Sequence, residues 1–188
     1  MNNNNHIKKT LYADDDYEPV SLLFRLRAPS LLAGLFLGIG ISFIVSGFEE
    51  VLSSNVQIAF FLPFIVYIAN AVGEQTGAIY CRDLKTGKAK FSNYFFKELA
   101  LGIIFGAVFG IFSGAISLLW LKNNLISLSV TLATFFAIMI APIVALIISH
   151  FFQSIHEDPA ADSGPIATVL QDMTSVLIYG VVATIIML

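Results

Sequence analysis

The sequence predicts an all-α polytopic membrane protein with five transmembrane helices per chain, the N-terminus cytoplasmic and the C-terminus outside. Three observations predict it. Of the 188 residues, 57% are hydrophobic and 12% charged, and the mean hydropathy is +0.82. A soluble domain averages about 45–50% apolar and about 25% charged, so both departures point to lipid as the solvent. Five stretches reach the length of about 20 mostly apolar residues that a bilayer crossing needs. The Lys and Arg residues, finally, fall almost all on one side of those stretches. A net charge of −3 argues against a nucleic-acid partner. The single cysteine, Cys81, permits no intrachain disulfide.

Residues 1–24 read as a polar, flexible tail, and 25–188 as one five-helix transmembrane domain. The first apolar run begins only near Ala28, later and longer than a secretory signal, so it is read as a retained helix. The spans are expected near 28–47, 56–80, 99–121, 126–151 and 165–187. Short polar breaks separate them: EEVLSSN, CRDLKTGKAKFSN, LKNN and QSIHEDPAADSG. The turn at Lys122-Asn123-Asn124 makes spans three and four an antiparallel hairpin. No linker is long enough to separate two domains.

Positive charge sets the orientation. With a cytoplasmic N-terminus, Lys8, Lys9, Arg25, Arg27, Arg82, Lys85, Lys88, Lys90 and Lys97 all lie inside, and only Lys122 lies outside. The odd number of spans then places the C-terminus outside.

Two spans carry stripes of small residues. Gly102, Gly106, Gly110 and Gly114 recur every four positions in span three, and Gly34, Gly38, Ser42 and Ser46 do so in span one. That spacing keeps them on one helix face, where small residues let backbones approach closely in lipid. They are read as contact faces, without indication of whether the partner helix is in the same chain.

Two acids have no packing excuse. Glu74 lies in span two and Asp172 in span five. An acid at a helix centre costs about 2.5–3.5 kcal/mol on insertion scales, and such residues mark pathways. Eight positions separate Glu74 from Arg82, and seven separate Pro165 from Asp172. Both carboxylates are thus expected roughly 10–12 Å below the same surface. Thr168, Asp172, Ser175 and Tyr179 form one polar stripe, and Asn70, Glu74 and Gly77 another, so the two are expected to line a water-filled path. The bland alternative is that these groups only hydrogen-bond helices together.

The spans contain no cluster of His or Cys, so a soft-metal site is not expected; His150 and His156 flank a helix end and are read as surface residues. Carboxylate, amide, hydroxyl and carbonyl oxygens suit a hard cation, and Mg²⁺ keeps several of its waters when bound. The residues alone stop at a hard cation, without fixing its charge. The acidic runs Asp14-Asp15-Asp16 and Glu157, Asp158, Asp162 read as cation collectors or as solvated loop faces. No paired His at metal spacing and no Ser or Cys with a base is seen, so the chain is not expected to be an enzyme.

Four stretches carry a resemblance: FEEVL after span one, GEQ late in span two, KEL at Lys97-Glu98-Leu99, and SGPIATVLQD opening span five. From about Arg25 to the C-terminus the chain resembles the membrane domain of the MgtE magnesium transporters and their eukaryotic solute-carrier relatives. The resemblance implies a homodimer with an MgtE-like pore between protomers and Mg²⁺ as the transported ion. Asp172 then holds hydrated Mg²⁺ near the dimer axis; Glu74 and Asn70 are expected beside it from the polar stripe of span two, not from the resemblance. Further contacts map to Gly164, Thr168 and Gly73, together with Ser163. The implied setting is the lipid bilayer of a prokaryotic plasma (inner) membrane. Another divalent cation (Mn²⁺, Co²⁺ or Ca²⁺), proton or sodium coupling, or a non-transporting scaffold are the alternatives.

Three departures stand out. Where the family has Asn-Thr-Gly-Asn-Gln, this chain has Ala71-Val72-Gly73-Glu74-Gln75, so an amide has become a carboxylate. Where it has Ser-Asn-Pro, this chain has Ser163-Gly164-Pro165. The polar stretch before span one is also too short for the family's cytosolic Mg²⁺-sensing and CBS regions, so gating by them is not expected of this chain alone.

Overall fold

The computed structural model describes residues 16–87, 89–154 and 164–188. These residues contain helices and no strand. Lys8, Lys9, Asp14, Asp15, Lys88, His156, Glu157, Asp158, Asp162 and Ser163 lie outside the described residues. Five helical segments are long and apolar enough to cross a membrane: Val20–Ser46, Val56–Leu84, Phe91–Leu121, Asn124–Phe152 and Pro165–Met187.

Helix α1 (Val20–Ser46) starts directly after Pro19, ahead of the expected boundary near residue 28. Arg25 and Arg27 therefore sit on helix, in its first turns. Long Arg side chains near a helix end can carry their charge outward to the interface, so charge alone does not mark the helix start. The EEVLSSN break is also helical. It forms α2 (Glu49–Ser54) followed by a 3₁₀ segment, Val56–Phe61. Glu49 and Glu50 occupy the first turn of α2, the end of a helix that favours negative charge. Asn55 Oδ1 accepts from the Gln57 N–H at 3.2 Å and caps the 3₁₀ segment. Pro63, near the start of α3 (Leu62–Lys85), has no N–H to leave unpaired there.

Helix α4 (Phe91–Leu121) begins well before the expected residue 99. Its hairpin with α5 (Asn124–Ser154) is as expected. Lys122 turns the chain with a left-handed φ of 52°, and the Asn123 carboxamide oxygen accepts from the N–H groups of Leu125 (3.0 Å) and Ile126 (3.2 Å). That oxygen satisfies donors a helix start otherwise leaves open. Helix α6 (Gly164–Met187) completes the bundle.

Helix α5 is the central post, packed against α3, α4 and α6; α1 rests chiefly on α6. Ile65, Ala69, Val72, Val130, Ala137, Ile138 and Ala141 are buried in the core that results. The large apolar side chains of α1, including Phe24, Leu35, Phe36 and Phe43, remain exposed, as lipid-facing residues do.

The glycine stripe of α4 has its partner in the same chain. A Cβ on Gly102 would lie 2.7 Å from the Met139 carbonyl oxygen, one on Gly106 2.7 Å from that of Phe135, and one on Gly110 2.8 Å from that of Thr131. The two backbones are thus closer than any side chain allows. The stripe of α1 is different. Gly34 meets Pro165 at 3.6 Å, but nothing lies within 4 Å of a Cβ on Gly38, and Ser42 and Ser46 are exposed. Most of that face has no partner within one chain.

Candidate functional site

Helices α3 and α6 run antiparallel: Tyr179 reaches back to Ile58, while Asp172 pairs with Asn70. At that second contact the Asn70 carboxamide donates to Asp172 Oδ1 at 2.6 Å. Asp172 is half-buried. Glu74 follows Asn70 by one turn toward the basic end of the bundle, where Arg82 and Lys90 lie. It is exposed on the surface of the single chain. The sequence placed Glu74 level with Asp172. In the structure the partner at that level is Asn70, and Glu74 sits about 6 Å closer to the basic end, one helical turn.

Thr168 is one turn from Asp172 toward the same end, and Gly164 is the first residue of α6. Gly73 is buried and serves close packing. A Cβ there would meet the Ala141 carbonyl oxygen and Gln171 Oε1, each at 3.4 Å, and the Ala145 side chain at 3.6 Å. Gly77 likewise lies against Ser149, whose Oγ would be 3.2 Å from an added Cβ. The polar stripe of α6 divides at Asp172. Ser175 is fully buried and donates to the Gln171 carbonyl (2.9 Å), and the buried Tyr179 hydroxyl donates to the Ile58 carbonyl. The Ser175 bond stays within α6, whereas that of Tyr179 ties α6 to the 3₁₀ segment; both side chains are buried inside the single chain. His150 is exposed as expected, yet its Nδ1 pairs with the Tyr80 hydroxyl at 2.8 Å and its ring lies 4.8 Å from that of Phe91.

Sequence reasoning missed two polar groups. Glu98 is a further acid within the spans: it is 8% exposed, and its Oε2 lies 2.8 Å from Thr76 Oγ1. The late start assigned to span three hid it. The signal was present, since Glu98 stands four residues before Gly102 and continues the stripe of Gly102, Gly106 and Gly110 into the bundle. Gln171, 3% exposed, is the second; its Nε2 reaches Ser175 Oγ at 3.4 Å.

Among the described residues no group of three or more His, Cys, Asp or Glu is arranged to hold a metal. The oxygen and amide groups at Asp172, Asn70 and Glu74 are hard donors, suited to a cation that keeps part of its water.

Five spanning helices with an acid and an amide paired between two of them define an integral membrane protein. The family model for the MgtE divalent cation transporters matches residues 62–182, and the chain belongs to that family. Asn70, Gly73, Glu74, Gly164, Thr168 and Asp172 all fall inside the match. The chain is 31% identical to the magnesium transporter MgtE of Bacillus subtilis, an alignment spanning 92% of this chain and 42% of that protein. It is 32% identical to the magnesium transporter MgtE of Enterococcus faecalis, over 86% of this chain and 36% of the relative. The magnesium transporter MgtE of Thermus thermophilus is 27% identical over 90% of this chain and 38% of its own length. The chain thus spans about two-fifths of the length of the curated relatives it matches. With bacterial relatives and five spanning helices, it is an integral protein of the prokaryotic plasma membrane.

Proposed function

We propose that this chain carries divalent cations, Mg²⁺ foremost, across the membrane, and that Asp172 holds the hydrated ion with Asn70 and Glu74 beside it. The observation that carries the reading is the Asn70–Asp172 pair within the spanning helices. An acid at a helix centre costs about 2.5–3.5 kcal/mol, whereas one interhelical hydrogen bond in lipid returns about 0.6–2 kcal/mol. A single amide therefore leaves most of the cost outstanding, and water or a cation at Asp172 offsets the rest. Mg²⁺ fits a site with few protein ligands because it gives up its water reluctantly.

One chain offers too few carboxylates for a dication. A homodimer with Asp172 near the two-fold axis supplies two, and the exposed position of Glu74 leaves it free to face the same gap. In this reading the basic end of the bundle is cytoplasmic, and Gly164 and Thr168 border the entry to the path below Asp172. Gly73 contributes by bringing α3 close to α5 and α6.

The test is cation uptake into proteoliposomes, with Mg²⁺, Mn²⁺, Co²⁺ and Ca²⁺ compared for wild type and Asp172→Ala. Wild-type Mg²⁺ uptake that disappears in Asp172→Ala, while the variant still inserts and elutes like wild type, is the expected result. Undiminished uptake by Asp172→Ala removes this residue from the site. A wild type that moves none of the four cations leaves the pair as helix glue in a non-transporting scaffold.

A further inference from the structure

Glu98 has no part in the ion path just described, yet it is a carboxyl buried in a spanning helix. Its surroundings show what it does. Helices α3 and α4 do not pack backbone against backbone; each leans on α5, and side chains bridge the space between them. Thr76, Tyr80 and Asp83 recur at four and three positions along one side of α3, and Tyr94 and Glu98 are four apart on α4. The two sets meet in antiparallel order. Thr76 Oγ1 lies 2.8 Å from Glu98 Oε2, the rings of Tyr80 and Tyr94 make an edge contact at 5.0 Å, and the Tyr94 hydroxyl donates to Asp83 Oδ2. Together they form a ladder with a polar rung at each end and an aromatic rung between.

The ladder stands on the far side of α3 from the ion-facing residues. At about 100° per residue, Thr76, Tyr80 and Asp83 fall roughly 180–240° around the helix from Glu74. Its other upright is fixed, because the glycine face of α4 is seated on α5 with no room to shift. Glu98 heads that same face. Any rotation of α3 that swings Asn70 and Glu74 away from Asp172 must pull Thr76 off Glu98.

We propose that Glu98 is a positioning residue: through Thr76 it sets the rotation of α3 and so keeps Asn70 and Glu74 turned toward Asp172. The inference builds on the site reading above, and its test separates the two. Glu98→Gln keeps the length of the side chain and its hydrogen bond to Thr76; Glu98→Ala removes the rung; Thr76→Val removes it from the other side with little change in shape.

The first measurement is the Mg²⁺ concentration giving half-maximal uptake. Glu98→Ala and Thr76→Val are expected to raise it about tenfold, as loss of an outer-shell partner does at a metal site, while Glu98→Gln stays within about twofold of wild type. The second needs no transport. Spin labels on the exposed positions Tyr67 of α3 and Leu177 of α6, in a Cys81→Ser background, report their separation. The distribution is expected to shift or broaden in Glu98→Ala and Thr76→Val and to remain that of the parent in Glu98→Gln. An unchanged distribution in Glu98→Ala and Thr76→Val overturns the proposal whether or not the protein carries Mg²⁺. Equal damage from Glu98→Gln and Glu98→Ala also overturns it, since charge rather than reach is then what matters. If one rung variant does not fold, the other decides.

Discussion

At the scale of single residues, Glu98, Asp172 and Glu74 are held in three different ways. Glu98 is buried against a hydroxyl, Asp172 is half-buried against an amide, and Glu74 is exposed on the chain's own surface. In the proposed reading, burial separates a group that positions helices from groups left open to a passing ion. Asn70→Ala removes the amide that donates to Asp172. It is expected to raise the half-saturating Mg²⁺ concentration about three- to tenfold, the equivalent of roughly 0.6–1.4 kcal/mol, with maximal uptake little changed. Tyr179→Phe is the contrast. It deletes a bond to the Ile58 carbonyl deep in the bundle and is expected to cost about 1 kcal/mol of stability while leaving the cation dependence alone. Thermal unfolding in detergent, read beside uptake, separates the two effects.

At the scale of elements, the two small-residue stripes look alike in sequence and differ in the fold. That difference is testable with one substitution in each. Gly106→Leu places a side chain where the Phe135 carbonyl already lies, so α4 must leave α5, and a loss of about 1–3 kcal/mol is expected from overpacking. Gly38→Leu meets nothing within 4 Å in the single chain, and the stability of the isolated protomer should not change. The comparison also shows how far sequence reaches. The number of spans and the turn at Lys122 were legible, because apolar run length and a short polar break report on lipid directly. The starts of the first and third spans were not. Val20 to Arg27 and Phe91 to Glu98 mix charge with helix-forming residues, and snorkelling Arg side chains and a buried acid both defeat a count of charges. Asn70 and Asp172 were found because polar groups are rare in the spans. Their pairing with each other, rather than of Asp172 with Glu74, required the actual offset between α3 and α6, which no periodicity supplies. Ser175 and Tyr179 share the periodicity of Asp172 but not its exposure: both are buried, and the Tyr179 hydroxyl donates to the Ile58 carbonyl of the 3₁₀ segment.

At the scale of the whole molecule, the homodimer proposed above would cover the part of the surface least suited to lipid. Exposed Glu74, half-buried Asp172 and the open small-residue face of α1 are poor neighbours for hydrocarbon. A mass measured in mild detergent is expected to be twice that of the 20.5 kDa chain, and a strictly monomeric species that still takes up Mg²⁺ would remove the shared-axis part of the proposal. The order of the elements has a consequence for biosynthesis. The chain emerges from the ribosome with α3 early and α6 last. Asn70 precedes Asp172 by 102 residues, so the amide leaves the ribosome well ahead of the carboxylate it pairs with. The nascent α6 thus need not enter bare hydrocarbon with its carboxylate unattended.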